Sequence, residues 1–169
     1  MRAACLVLLT TLLSLPAAAS QPTADSLFER MAGRWLGTGE RTQAISGRKT
    51  RIDAQVQARV QDSTLYSHSE ITETAVSGAA RSYVREYWIR KGVSGSYEFG
   101  VGNKVTSVGT FDGTTLSVEQ TLGREPGYII RSRTVFDEQG SQYDESFCNG
   151  QKELARTHIE YRLANTSSL

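Results

Sequence analysis

The stretch Arg51-Ile52-Asp53-Ala54-Gln55-Val56-Gln57-Ala58-Arg59-Val60 decides the fold. Ile52, Ala54, Val56, Ala58 and Val60 alternate with charged or amide residues. A period of two puts the apolar side chains on one face of a strand and the polar ones on the other. A helix would scatter the same residues around its axis. One buried face and one wet face is the signature of an antiparallel sheet that covers a core on a single side.

The grammar of that stretch extends in both directions. Residues 33–164 contain 13 Thr, 10 Val and 7 Ile against 6 Leu, and branching at Cβ favours the pleated backbone. Pro126 is the one proline of the region, so ladders run without missing donors. Turn signals fall at Ser46-Gly47, Asp62-Ser63, Ser77-Gly78, Gly92 to Gly95, Gly102-Asn103, Asp112-Gly113, Gly123 to Gly127, Glu138 to Gly140 and Asn149-Gly150. These nine turns divide the region into ten strands. Their spacing is too short for crossover helices, so neighbours are antiparallel. Ten hairpin-linked strands in an open sheet would leave two long edges, and closing the sheet removes both. The expected fold is all-β: an up-and-down barrel of about ten strands, with a two-sheet sandwich as the competing arrangement. Ser26 and Glu29 form a capping-box pattern ahead of Leu27, Phe28, Met31 and Ala32, which predicts a short helix over 26–32.

The chain is 169 residues long, with 19 basic and 18 acidic residues and a mean hydropathy of −0.37. Balanced charge argues against a nucleic-acid partner. Met1-Arg2, the apolar run Ala3–Leu15, Pro16 and Ala17-Ala18-Ala19 form a secretory signal pattern over residues 1–19. The apolar run is shorter than the roughly 20 residues of a spanning helix, so no transmembrane segment is expected after cleavage. Cleavage after Ala19 removes one arginine and no acid, which leaves the mature chain neutral, and it removes Cys5. Cys148 then stands alone, so no internal disulfide forms, and a secreted or periplasmic barrel rests on its core. A buried thiol is the expected state of Cys148. The organisation read from the chain is a signal (1–19), a segment with the short helix (20–32), the barrel (33–164) and a polar tail (165–169) that carries the sequon Asn165-Thr166-Ser167.

Met31-Ala32-Gly33-Arg34-Trp35-Leu36-Gly37-Thr38-Gly39 places Gly-x-Trp between a short helix and the first strand of a meander. This arrangement resembles the calycin superfamily of lipocalins, fatty-acid-binding proteins and nitrobindin-like barrels. The run from Gly33 to Glu40 is most similar to nitrobindin-like and bacterial lipocalin-like families. The resemblance implies a barrel over Gly33–Ala164 and a small apolar or amphipathic ligand in its lumen. It also implies a structural set of Gly33, Trp35 at the closed end, and Arg162 (or Arg156) packed across Trp35. Thr157-His158-Ile159-Glu160-Tyr161-Arg162-Leu163 is similar to the haem-ligating strand of nitrobindin-like barrels. Alternation opposes that role: Ala155, Thr157, Ile159, Tyr161 and Leu163 make the better inward face, which leaves His158 facing water.

Hairpin arithmetic nominates the lining. Ile52, Val56 and Val60 face inward from one strand. The Asp112-Gly113 turn sets Gly109 opposite Leu116, so Leu116, Val118 and Leu122 face inward with Val105. Tyr128, Ile130, Ser132, Thr134 and Phe136 share a face, with Arg131 and Arg133 outside. A four-residue loop at 137–140 pairs Thr134 with Tyr143 and brings Tyr143, Glu145 and Phe147 inward. The ligand-binding candidates are Tyr83, Arg85, Tyr87, Tyr97, Phe99, Tyr128, Phe136, Tyr143 and Glu145. A tyrosine offers an apolar wall with one hydroxyl that orients a head group. A luminal Glu145 must pair or take up a proton, and Arg85 or Arg156 is its expected partner. Arg with Tyr would hold a ligand carboxylate, as in fatty-acid-binding proteins.

No catalytic motif is present. The chain lacks H-E-x-x-H, G-x-S-x-G and a phosphate-cradling Gly-Lys loop. Two histidines and one mature cysteine at unrelated spacings do not build a zinc site. Ser67-His68-Ser69-Glu70 is not a triad, because adjacent strand residues face opposite sides. The expectation is a binding protein without cofactor. The alternatives are a haem protein using His158, and a filled barrel that acts through its surface.

Overall fold

The computed structural model describes residues 26–123 and 127–164. The signal-like stretch, residues 124–126 of one turn, and the tail with Asn165 lie outside the described residues. One helix, α1 (Ser26–Met31), precedes ten strands: β1 (Gly33–Gln43), β2 (Lys49–Gln61), β3 (Thr64–Ala75), β4 (Ala80–Lys91), β5 (Tyr97–Val101), β6 (Lys104–Phe111), β7 (Thr115–Leu122), β8 (Tyr128–Phe136), β9 (Gly140–Asn149) and β10 (Lys152–Leu163). Each strand pairs antiparallel with its sequence neighbour, and β1 pairs with β10 to close a barrel. All nine expected turns connect strands. Asp62 and Ser63 both take positive φ, 49° and 60°, the two-residue hairpin geometry that matches strand twist.

Helix α1 marks the closed end. Leu27 and Phe28 are buried with Ala58, Leu65, Ile89, Tyr97, Leu116 and Phe136. Edge-to-face ring pairs run from Phe28 to Tyr97, Phe111 and Phe136, with centroids 6.1 to 6.4 Å apart. The Trp35 indole N–H donates to the Met31 carbonyl at 3.0 Å, which ties the plug to the first strand. Odd-numbered strands run away from this end, so the turns at 44–48, 76–79, 102–103 and 150–151 ring the open end. A second cluster, Ile52, Ala54, Ile71 and Ile159 with Tyr83, Tyr143 and Tyr161, lines one wall.

The register departs from the sequence reading at particular places. Phe111 pairs with Leu116 and Gly109 with Val118, two residues from the expected register, because the Asp112 carboxylate caps a longer turn by accepting from the Thr114 and Thr115 amides. A shift of two keeps every side chain on its face, so Leu116 and Val118 still point inward. Val105 does not. Phe99 pairs with Ser107 while Gly100 pairs with Val105, so Thr106 is an extra residue. That bulge reverses the alternation and leaves Val105 exposed. Val60 and Leu163, expected inside, are 48% and 55% exposed near the ends of their strands. Cys148 is a free buried thiol opposite Ile129.

Candidate functional site

The lumen is a cavity of about 900 Å³. That is the size range of small-molecule sites, and it means the barrel is not filled. Ile52, Val56 and Ile71 line one wall, with Leu116 and Phe136 toward the floor and Phe99, Val118, Ile130 and Phe147 opposite. Strand alternation places these residues. The β2–β3 ladder runs from Gln61↔Thr64 through Ile52↔Glu73 to Thr50↔Ala75, and the β3–β4 ladder sets Ser69 beside Arg85 and Ser67 beside Tyr87.

Polar groups enter the lumen in two networks. Glu73, only 4% exposed, accepts from Arg41 Nη1 at 2.8 Å, Arg81 Nε at 2.9 Å and the Tyr83 hydroxyl at 2.9 Å. Burial pushes its carboxyl up, but the Arg81 and Tyr83 hydrogen bonds and the two arginine charges outweigh that and hold it below the ordinary range. Arg41 Nε also donates to Thr157 Oγ1 at 3.1 Å, so one guanidinium links β10 to β3 across β1 and β2. The second network is on β9. The Tyr143 hydroxyl donates to Glu145 Oε2 at 2.6 Å, and Thr157 Oγ1 lies 3.4 Å from Oε1. Burial, then the Glu145 charge and hydrogen bond, push the Tyr143 phenol well above its ordinary value. Burial does the same to Tyr87 and Tyr161. All three phenols therefore stay neutral at physiological pH.

Arg85 is different. It lines the same cavity, and its guanidinium lies 5.4 Å from the Tyr83 ring centroid, yet it has no ion-pair partner among the described residues. Glu145, its expected partner, is held by Tyr143 and Thr157 instead. Arg156, the other expected partner, bonds Glu153 on the outer face at 3.1 Å. Ser67, next to Tyr87 in the ladder, has its hydroxyl buried beside the Tyr87 phenol. Glu73 is shared between Arg41 and Arg81 and is not available to Arg85.

The structure brings Tyr83, Arg85, Tyr87, Phe99, Phe136, Tyr143 and Glu145 together around this cavity. It places two other candidates elsewhere. Tyr97 is buried in the closed-end core, where α1 covers it. Tyr128 is 46% exposed at the rim and stacks on Phe147 at 5.3 Å, because its strand position lies beyond the cavity. Arg162 does not cross Trp35: it pairs with Leu36 on the outward face, and the residue opposite Trp35 is Leu163. His158 also faces outward, 2.8 Å from Asp144, so it does not fit a luminal haem ligand. His68 is exposed, with Glu86 at 3.0 Å and Glu70 at 3.6 Å. No group of three metal-ligating side chains occurs among the described residues. Glu73 and Arg41 escaped the sequence reading. The Asp62-Ser63 turn pairs Gln61 with Thr64, and counting along that ladder places Glu73 beside the inward Ile52.

Comparison with solved structures finds the same architecture in the S-type phycobiliprotein lyase CPES from Guillardia theta. The TM-score is 0.61 at 11% identity, over 84% of this chain and 92% of that one. The fold is a calycin-like barrel. No protein-family model matches the chain, and no curated protein matches it. A provisionally designated oleoyl thioesterase from Lactobacillus plantarum aligns over 79% of this chain with a TM-score of 0.19 at 6% identity, a likeness without bearing on the fold. Among the described residues of this calycin-like barrel no helix is long and apolar enough to cross a membrane.

Proposed function

We propose that this calycin-like barrel is a secreted or periplasmic binding protein that holds a small amphipathic molecule in its lumen. One observation carries the reading: a cavity of about 900 Å³ with a largely apolar wall, into which Arg85 brings a cation that has no carboxylate partner among the described residues. An apolar body gains from leaving water for Ile52, Val56, Ile71 and Phe99. An acidic head group meets Arg85, with the neutral Tyr87 and Tyr161 phenols and the Ser67 hydroxyl as further donors. The carboxylates Glu73 and Glu145 already have their own donors and do not compete for Arg85. The likeness to a lyase of phycobiliproteins supports a small-ligand role on the same architecture. The signal-like leader at Met1–Ala19 supports export.

Native mass spectrometry with an absorption spectrum, on protein purified gently from its own compartment, tests the reading. A retained small acid that Arg85→Met releases supports it. A protein that arrives bare and binds no fluorescent sulfonate amphiphile overturns it. Peptide mapping of the exported chain is expected to place the mature N-terminus at Ser20, and an intact Met1 terminus in the exported protein would contradict export by cleavage.

A further inference from the structure

The ladders around the barrel are unequal. β2 and β3 pair over twelve consecutive positions, but β4 and β5 pair only over Trp88–Lys91 with Tyr97–Gly100. The edge of β4 from Ala80 to Tyr87 has no β5 partner. β6 pairs with β7 only over Val108–Phe111, so Lys104–Ser107 and Gln120–Leu122 run on unpaired with each other. Beyond the Trp88↔Gly100 pair, the distal half of the β5–β6 hairpin, Val101 to Ser107, is therefore laddered to itself and to neither flank. A lone two-stranded ribbon is marginally stable in water. The lumen shows the consequence. Its lining includes Tyr83, Arg85 and Tyr87 from the inner face of β4, and also Val84 and Glu86 from the outer face. The cavity thus wraps around the bare edge of β4 and opens through the wall.

One side chain spans this opening from the outside. Trp88 ends the paired part of β4, and its indole lies over Gly100, where any Cβ would overlap the ring. Its N–H donates to the Gly102 carbonyl at the hairpin tip at 2.8 Å. Arg90 stacks over the same indole, 4.8 Å from its centroid. The bulge at Thr106 lies in the same segment, and its hydroxyl donates back to the Phe99 carbonyl at 3.3 Å.

We propose that the Gly100–Ser107 hairpin tip is a flap over a side entrance to the lumen, latched by Trp88, and that ligands pass between this flap and β4. The inference rests on the lumen as the binding site. Val101, Thr106 and Ser107, which line the cavity from the flap, move with it, whereas Trp88 stays outside the lumen. Loosening the latch therefore changes rates of passage and not affinity.

The test is stopped-flow binding of 8-anilinonaphthalene-1-sulfonate to the full chain and to Trp88→Phe, which keeps a ring but removes the donor. The expected result is a rise of roughly fivefold in both association and dissociation rates, the worth of one hydrogen bond, with Kd nearly unchanged. Gly100→Ala, whose Cβ would meet both the ring and the Lys104 carbonyl of the hairpin, is expected to loosen the flap in the same direction. Amide exchange read on the same proteins is expected to quicken over 100–107 and not over 108–111. Unchanged rates in a folded variant that binds the probe overturn the flap alone. A weaker Kd at an unchanged association rate also overturns it, since Trp88 would then act on the cavity itself. Failure of the unmodified protein to bind the probe removes the lumen reading and the entrance together, and the exchange data separate that outcome from an error about the flap.

Discussion

Glu73 keeps a full charge at 4% exposure because Arg41, Arg81 and Tyr83 converge on it. Its folded carboxyl titrates below the ordinary glutamate value. The stabilisation is thus complete above that unfolded value and drains away as pH falls through the lower folded one. Glu73→Gln is expected to cost roughly 1.5–3 kcal/mol at neutral pH, the worth of hydrogen bonds to a charged group, and to flatten the acid limb of the stability curve. Urea melts between pH 7 and pH 3 check this; an acid limb that persists in the variant would assign it to other carboxylates. His68 has the opposite sign. Hydrogen bonding to Glu86 raises its pKa above 6.5, so its contribution is present below the unfolded value and lost as pH rises through the folded one. A proton NMR titration is expected to show His68 titrating above the ordinary imidazole range, and Glu86→Gln is expected to return it toward that range. Luminal tyrosines were legible from alternation alone. The partner of Glu145 was not, because choosing among Tyr143, Thr157 and two arginines needs distances across strands far apart in sequence.

At the scale of elements, the seam between β1 and β10 depends on small residues. A Cβ on Gly39 would collide with the His158 carbonyl, which is backbone and cannot yield. A Cβ on Gly37 would meet the Tyr161 ring, with Ile159 Cγ2 at 3.0 Å. Gly39→Ala is therefore expected to cost about 1–3 kcal/mol as overpacking. Gly37→Ala is expected to cost less and to push the phenol into the lumen. Denaturant melts that rank the two in reverse would refute this account of the seam. The Gly-Thr-Gly run that marks the first strand in the sequence thus has a packing cause. The sheet pattern and every turn were visible in the residues, since alternation and turn chemistry are local. The Thr106 bulge was not, because nothing in Lys104-Val105-Thr106-Ser107 distinguishes the extra residue.

At the scale of the molecule, closure joins strands at opposite ends of the chain: Trp35 pairs with Leu163 and Gln43 with Ala155. A ligand that occupies only the closed barrel raises its stability by mass action, about 2.7 kcal/mol at a hundred times Kd. A long-chain monoanionic amphiphile is expected to raise Tm of the unmodified protein and to leave Arg85→Met nearly unmoved. Differential scanning calorimetry with matched anionic and neutral amphiphiles checks this, and an equal rise for both would remove Arg85 from recognition.

The sequence by itself determined the strand class, the nine turns, the short helix and, away from the Thr106 bulge, which strand faces turn inward, because each depends on neighbours a few residues apart. It also determined that His158 faces away from the lumen, a matter of parity along one strand. Only the tertiary structure decided that the lumen is open and not filled, since side-chain volumes from ten strands must be summed in space. Only the curvature of the sheet set Arg41 against Glu73 across the intervening β2 and left Arg85 without a carboxylate among the described residues. The bare edge of β4 has the same origin: β5 is five residues long and β4 twelve, and how far such unequal strands stay paired depends on the twist of the whole barrel.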